Sequence, residues 1–298
     1  MARAPNIRLP DFIGIGPPRT GTTWLHRVLK AHIGMPRSIK ELEFFSRYYS
    51  KGLPWYAKHF ARFGPQVRTG EISPEYFTDA RVPARIAATI PRCKIVCTVR
   101  EPVSRLHSQY RLWRRSGEIN DMGFDVWLTK CCEKGLDWGC YTSDLRRWFD
   151  TFGPKRILVC LYDDLEHAPQ RFLDLITDFI ETPRISLANS PLATEHVHSI
   201  QNTSRWPSLV RLMWQLHRVL DHERGYRSRR LLLRLGIWQF CVQDGKPFAP
   251  LDPEVLAHWR RHFLADIEAL EELIGRDLSA WKEAPGVDPN LALARETA

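Results

Sequence analysis

The chain has 298 residues, with 43 Lys and Arg against 34 Asp and Glu, a formal net charge of +9. No apolar run reaches the roughly 18 residues needed to span a bilayer, and no Lys/Arg-rich or aromatic-interleaved block marks a nucleic-acid surface, so the excess charge points to an anionic partner of another kind. The 7 cysteines lack a disulfide-framework spacing, their one cluster (Cys131, Cys132 and Cys140) lacks zinc spacing, and the N-terminus has no apolar signal-peptide core; a metal-free protein of a reducing, cytoplasmic compartment is expected.

Phe12 to Ile15 is a short apolar run that reads as a buried strand. A Gly/Pro-rich turn from Gly16 to Gly21 follows, then a helical pattern through Trp24, Leu25, Val28 and Leu29. Strand, glycine loop and helix make an anion cradle, because the loop N–H groups and the positive end of the helix dipole point at one place. Gly21 lets the backbone come close, Thr20, Thr22 and Thr23 offer hydroxyls, and Arg19 adds a cation. The glycine spacing is that of a nucleoside-triphosphate loop, but Thr22 stands where its lysine belongs.

Leu53–Phe63 predicts an amphipathic helix, Gln66–Ile72 a short strand and Ala80–Ile90 a second helix. Lys94–Val99 is a β-branched run that predicts a central strand, and Pro102 opens the helix after it. On that helix Leu106, Tyr110 and Trp113 form the apolar face, while Ser104, Ser108 and Arg111 fall on another. Arg100 at the strand's end and Ser108 on the helix can grip one phosphate, the guanidinium through paired charged hydrogen bonds. Surface ion pairing of Arg100 and Arg105 is the plainer alternative.

Tyr141–Phe152 predicts a helix and Arg156–Tyr162 the next buried strand, followed by Asp163, Asp164 and a helix through Ile180. Strands and helices alternating without a linker predict an α/β fold, a parallel, doubly wound sheet flanked by helices, as one domain over residues 1–298. Residues 185–244 break the alternation. A helical insertion is expected there, with helices at Ser208–His222 and Ser228–Phe240 around a charged segment from Asp221 to Arg230, either packing on the sheet or covering an acceptor. Pro253–Ile274 is the closing helix, and residues from Ala284 onward are expected to fray.

Two of these segments resemble motifs of the sulfotransferases that use 3′-phosphoadenosine 5′-phosphosulfate (PAPS). Pro18-Arg-Thr-Gly-Thr-Thr-Trp24 resembles their 5′-phosphosulfate loop, P-[K/R]-[S/T]-G-T-T-W; arginine at position 19 is also the choice of protein-tyrosine sulfotransferases. Arg100-Glu-Pro-Val-Ser-Arg-Leu-His-Ser-Gln-Tyr110 resembles their 3′-phosphate motif, in the expected order and about 80 residues further on. The resemblance implies a P-loop-like fold and PAPS as co-substrate, with 3′-phosphoadenosine 5′-phosphate (PAP) as product and no metal. It places Arg19, Thr20, Gly21, Thr22, Thr23 and Trp24 at the 5′ end of the donor, and Arg100 with Ser108 at its 3′-phosphate.

In members acting on glycan hydroxyls and amines, a segment E-x-x-F-F follows the loop and carries the catalytic glutamate. Counted back from Phe44-Phe45, Glu41 takes that place, with Lys40 just before it. Glu43 competes for the role, and His107 stays open because phenol- and steroid-type relatives use histidine. Gly70–Phe77 looks like the family's E-K-[ST]-P-x-Y-F segment with Ile72 in place of the lysine, which makes Glu71 and Ser73, with Lys40, acceptor-binding candidates. Asp244–Pro253 is similar to a K-G-R…D-P loop that closes over the donor, putting Gly245 and Lys246 on it; Asp244 replaces the lysine, and a plain Asp-Gly turn is the alternative.

The function these readings predict is sulfuryl transfer from PAPS to a hydroxyl or amine, a carbohydrate being favoured. Glu41 takes the acceptor proton and Arg19 stabilises the leaving oxygen. Two alternatives stand beside it: a P-loop kinase or NTPase, for which Leu158–Asp163 imitates a magnesium-binding strand, and a non-catalytic nucleotide-binding protein.

Overall fold

Four short apolar segments align in parallel to form the central sheet of the computed structural model, which describes residues 7–37, 39–119, 121–188, 190–193, 200–219, 240 and 244–282. They are β1 (Phe12–Ile15), β2 (Gly70–Ile72), β3 (Lys94–Val99) and β4 (Ile157–Leu161), in the order β2-β1-β3-β4. Successive strand residues face opposite sides, so two cores form. Ile13, Ile15, Ile95, Cys97 and Val99 face one layer, packed against Leu145 and Trp148 of α6 (Thr142–Phe152) and Phe263 and Ile267 of a long helix, Pro253–Ile274. Phe12, Ile72 and Val96 face the other, packed against α1 (Thr22–Lys30) and the Pro169–Phe179 helix. Both faces are covered, which is why the strands read as continuous apolar runs.

Between these strands lie α2 (Gly52–Ala57), α3 (Val82–Thr89), α4 (Pro102–Ser116) and α5 (Phe124–Glu133), with α6 before β4. After β4 come α7 (Tyr162–His167) and α8 (Pro169–Phe179), then β5 (Asn202–Ser204), α9 (Pro207–Val219) and β6 (Asp244–Pro247). The long helix is α10 (Pro253–Ile274), followed by α11 (Ser279–Lys282). The expected α/β architecture is present, and α10 has the predicted bounds.

Several local expectations give way to packing or backbone chemistry. The Leu53–Phe63 helix ends at Ala57: the amides of His59, Phe60 and Phe63 reach back only three residues, and the chain continues in tight turns while Phe60 stays in the core. The strand expected from Gln66 begins at Gly70, because Val67 closes a turn onto Gly64 around Pro65. The single helix after Asp164 is two, since Pro169 has no N–H to continue α7 and instead opens α8. Asp244-Gly245 is not a turn but part of β6, paired antiparallel with β5; a Cβ on Gly245 would lie 1.9 Å from the Thr203 carbonyl oxygen. The expected helix Ser228–Phe240 (Phe240 excepted), the charged segment Asp221–Arg230 and the tail from Ala284 lie outside the described residues.

Candidate active site

β1 ends in the loop that the sequence marks as an anion cradle, and the structure shows why it has this wording. Gly16 (φ 130) passes so close to β3 that a Cβ would sit 2.1 Å from the Thr98 carbonyl oxygen. Gly21 (φ 87) caps α1, and a Cβ there would meet the Leu165 side chain at 2.7 Å and the Tyr162 ring at 3.2 Å. Only glycine fits both positions. Thr20 is fully buried: its hydroxyl donates to the Pro17 carbonyl (2.9 Å) or shares a proton with the Thr98 hydroxyl (2.7 Å), which ties the loop to β3. In this structure its hydroxyl is engaged by the scaffold.

Trp24 departs from the expected donor contact in the same way. Its indole is 4% exposed, lies edge-on to Phe172 and donates to the Leu192 carbonyl at 2.8 Å, fastening the 190–193 segment to α1. Thr22 is buried, whereas Thr23, half-buried, accepts a hydrogen bond from Lys40 Nζ at 3.0 Å.

The second motif comes to the same place through α4. Glu101 caps this helix, its carboxylate accepting from the Val103 and Ser104 N–H groups, and Pro102 occupies the first turn. Ser108 then accepts from Arg19 Nε at 3.0 Å, joining residues 89 apart in the chain. Arg100 lies over the Tyr162 ring, 4.1 Å from its centroid, on the ring that Gly21 also approaches. Burial and then the Arg100 charge push the Arg19 guanidinium down to about 10. Two cations held this close in a half-buried site raise each other's energy, and a bound anion removes that penalty.

Arg105 is not a surface ion-pairing residue. It is buried, with Nε donating to Tyr141 Oη at 2.8 Å and its terminal nitrogens to the Pro18 and Trp138 carbonyls, so it braces the loop from behind. Tyr141 in turn donates to the Arg100 carbonyl at 3.0 Å.

Beside the loop, Lys40 Nζ bridges Thr23 Oγ1 and Glu41 Oε1 (2.7 Å), which sets the Glu41 carboxylate two hydrogen bonds from the start of α1. The phenylalanines that follow are anchors: Phe44 stacks on Tyr56 at 4.5 Å, and Phe45 is fully buried. Glu43 adopts φ 49 and its carboxyl is pushed up by burial and then by Glu41, with Arg47 opposing.

Glu71 and Ser73 do not line an open acceptor surface; both are fully buried beneath the Glu41–Phe45 loop. Ile72 sits in the core facing α1 and α8, so a lysine at this position has nowhere to project. His107 is packed against Phe124 (5.0 Å between centroids), and burial, then Arg111 and Arg100, lowers it to about 4. Gly245 and Lys246 are in β6, whose partner β5 packs on α4; Phe248 just beyond touches Tyr110 and lies 5.6 Å from Arg111.

The aspartate that imitates a magnesium-binding strand has another use. Asp163 accepts from Trp281 Nε1 at 3.1 Å, and Asp164 pairs with Arg276, so both hold the C-terminal helices.

Sequence reasoning did not identify Tyr56, Tyr76 or Tyr141 as site-building residues. Tyr76 lies in the Gly70–Phe77 segment itself, and its spacing from Glu71 was the available signal. Tyr56 and Tyr141 come from distant parts of the chain and left none.

The family profile described as "Sulfotransferase domain" matches residues 9–217, running past Ile180 through β5 and into α9. The chain is 29% identical over 195 residues to bifunctional heparan sulfate N-deacetylase/N-sulfotransferase 3 of Homo sapiens, covering 58% of this chain and 22% of that protein. It is 38% identical over 106 residues to membrane-associated sulfotransferase kil1 of Dictyostelium discoideum, covering 34% of this chain and 22% of that protein. The match thus spans about a fifth of the length of these curated relatives. A solved sulfotransferase from Alicyclobacillus acidocaldarius shares the fold, with a TM-score of 0.65 at 21% identity over 93% of this chain and 100% of that one.

Proposed function

This chain belongs to the sulfotransferase family, and from that premise we propose that it moves the sulfuryl group of PAPS to an amine or hydroxyl of a carbohydrate, with Glu41 as general base. The observation that carries the reading is the Arg19–Ser108 hydrogen bond, which merges the two phosphate motifs into one cationic site beside Arg100. Arg19, the loop amides around Gly21 and Thr22, and Thr23 receive the 5′-phosphosulfate. Arg100 and Ser108 receive the 3′-phosphate, with Lys246 on the strand beyond α4.

Glu41 withdraws the acceptor proton as the acceptor atom bonds to sulfur. The bond from sulfur to the 5′-phosphate oxygen breaks, and PAP leaves with its new charge facing Arg19. Lys40, bonded to both Thr23 and Glu41, spans donor and acceptor sides. The carbohydrate acceptor draws support from the E-x-x-F-F segment and from the activity named for the human relative.

Calorimetric titration with PAP, with ATP and magnesium as competitor, tests the donor. Micromolar PAP binding with little for ATP is the expected result, and preference for ATP would overturn the reading. Transfer of radiolabelled sulfate from PAPS to an N-unsubstituted glucosamine oligosaccharide tests the acceptor class. A reducing, cytoplasmic setting belongs to the same proposal and is supported by six free cysteines among the described residues; sedimentation of the protein with membranes after cell fractionation would count against it.

A further inference from the structure

The Glu71 carboxyl has no exposure, yet three hydroxyls converge on it. Tyr56 donates to Oε1 at 2.8 Å, Tyr76 to Oε1 at 3.1 Å and Ser73 to Oε2 at 3.4 Å. Two of these hydroxyls have a second partner. Tyr76 Oη accepts from the Phe45 N–H at 3.1 Å, and Ser73 Oγ accepts from the Glu43 N–H at 3.4 Å. Those amides belong to the loop that begins at Glu41, and Glu43, which carries the first of them along the chain, sits in the left-handed region, where a non-glycine residue needs external support.

We infer that Glu71 is the positioning residue of the acceptor-side loop: as a carboxylate it makes Ser73 and Tyr76 point their protons inward, leaving their lone pairs to hold the Glu43 and Phe45 amides and so to fix where Glu41 stands. The inference rests on Glu41 being the base.

The logic is that of hydrogen-bond direction. An ionised carboxylate only accepts, so all three hydroxyls donate to it and their remaining lone pairs face outward. A protonated Glu71 must itself donate: on Oε2 its proton faces Ser73, on Oε1 the two tyrosines. The hydroxyl that accepts it no longer points its own proton inward, and where that hydroxyl is Ser73 or Tyr76 its hold on the loop amide weakens. Other groups facing Glu71 are Cys93, whose thiol burial pushes well above its usual range, and Glu43, whose like negative charge disfavours the Glu71 carboxylate. Burial lifts the Glu71 carboxyl to about 7 against the pull of the three hydrogen bonds, so the network changes direction near neutrality. A residue that merely filled space would have no such pH response.

The test is hydrogen exchange of the 41–47 segment on the full chain, corrected for intrinsic rates, between pH 6 and 8. It runs alongside turnover of PAPS with an N-unsubstituted glucosamine oligosaccharide and PAP affinity. In the parent protein, protection of the segment rises with pH. In Glu71→Gln it is roughly fivefold lower at pH 8 and flat with pH; kcat falls roughly tenfold while the PAP Kd stays within about twofold. Tyr56→Phe, which removes a donor but touches no loop amide, moves the onset of protection to higher pH.

Ser73→Ala repeats the loss of protection in a milder variant, should Glu71→Gln fail to fold. A folded Glu71→Gln with parental protection and kcat overturns the inference, as does PAP affinity falling in step with kcat. Glu41→Gln serves as the control. If that variant turns over normally, the base assignment fails, whereas the exchange data still decide whether Glu71 holds the loop.

Discussion

The proposed division of the donor between Arg100 and Arg19 can be measured. Ser108 bonds Arg19, while Arg100 lies against Tyr162, so the two guanidiniums approach one anion from different elements. Arg100→Ala is expected to weaken PAP about 10- to 100-fold, the value of one charged hydrogen-bonded contact, but to weaken adenosine 5′-phosphate much less. Equal weakening in calorimetry would remove Arg100 from the 3′-phosphate. Glu41→Gln is expected to lower kcat about 10²- to 10⁴-fold with PAP affinity unchanged. At this scale the sequence was legible where spacing alone brings groups together, as in Arg19 through Thr23. It was silent on direction: nothing in the pattern shows that Thr20 and Trp24 turn inward, or that Glu71 lies under the loop rather than beside the acceptor. Those orientations follow from Thr98, Leu192 and Tyr56, which are remote in the chain.

Among the elements, α4 carries the most connections. Its N-terminus is capped by Glu101, which lies 3.5 Å from Arg260 of α10. Its first turn braces the loop through Arg105, and its middle reaches Arg19 through Ser108. Its C-terminal end receives Ser204 of β5 at the Arg115 carbonyl and Arg211 of α9 at the Gly117 carbonyl just past its end. Glu101→Ala removes a cap and leaves a nearly buried arginine without this carboxylate. A cost of about 2–4 kcal/mol is expected in chemical denaturation, with weaker PAP binding as Ser108 loses its position. α4 was readable because Pro102 marks its start and its apolar face has helical spacing. α5 carries an equally regular stripe, Phe124, Trp127, Leu128 and Cys131, which was not recognised; Cys131 there is a packing residue. β5 and β6 were unreadable, since two short polar strands pair only because Gly245 admits the Thr203 carbonyl.

For the molecule as a whole, buried titratable groups set opposing trends of stability with pH. Glu71 rises from 4.5 to about 7 on folding, so its contribution is full below pH 4.5 and declines as pH rises through 7, by about 3 kcal/mol at most. His26, lowered to about 4 first by burial and then by Lys40 and Lys30, and His107 act the other way. Their contributions are full above pH 6.5 and decline as pH falls toward 4. Two histidines oppose one glutamate, so between pH 4.5 and 6.5 the parent protein is expected to gain stability with pH at about half the slope of a variant lacking the Glu71 carboxyl. Glu71→Gln removes one arm, and its urea midpoint should climb steadily from pH 4.5 to 6.5. A flat profile in that variant would mean that the histidines are not neutral in the fold.

Arg19 holds φ 77, a conformation that glycine adopts freely and an arginine adopts at a cost on the order of 1 kcal/mol. The backbone at this position and the charge that the proposed function places there therefore ask for different residues. A library of variants selected only for thermal endurance would drift toward glycine at position 19. One selected for growth dependent on the sulfated product would return to arginine. Comparing the two populations would separate what the loop needs as a piece of chain from what it needs as a catalyst.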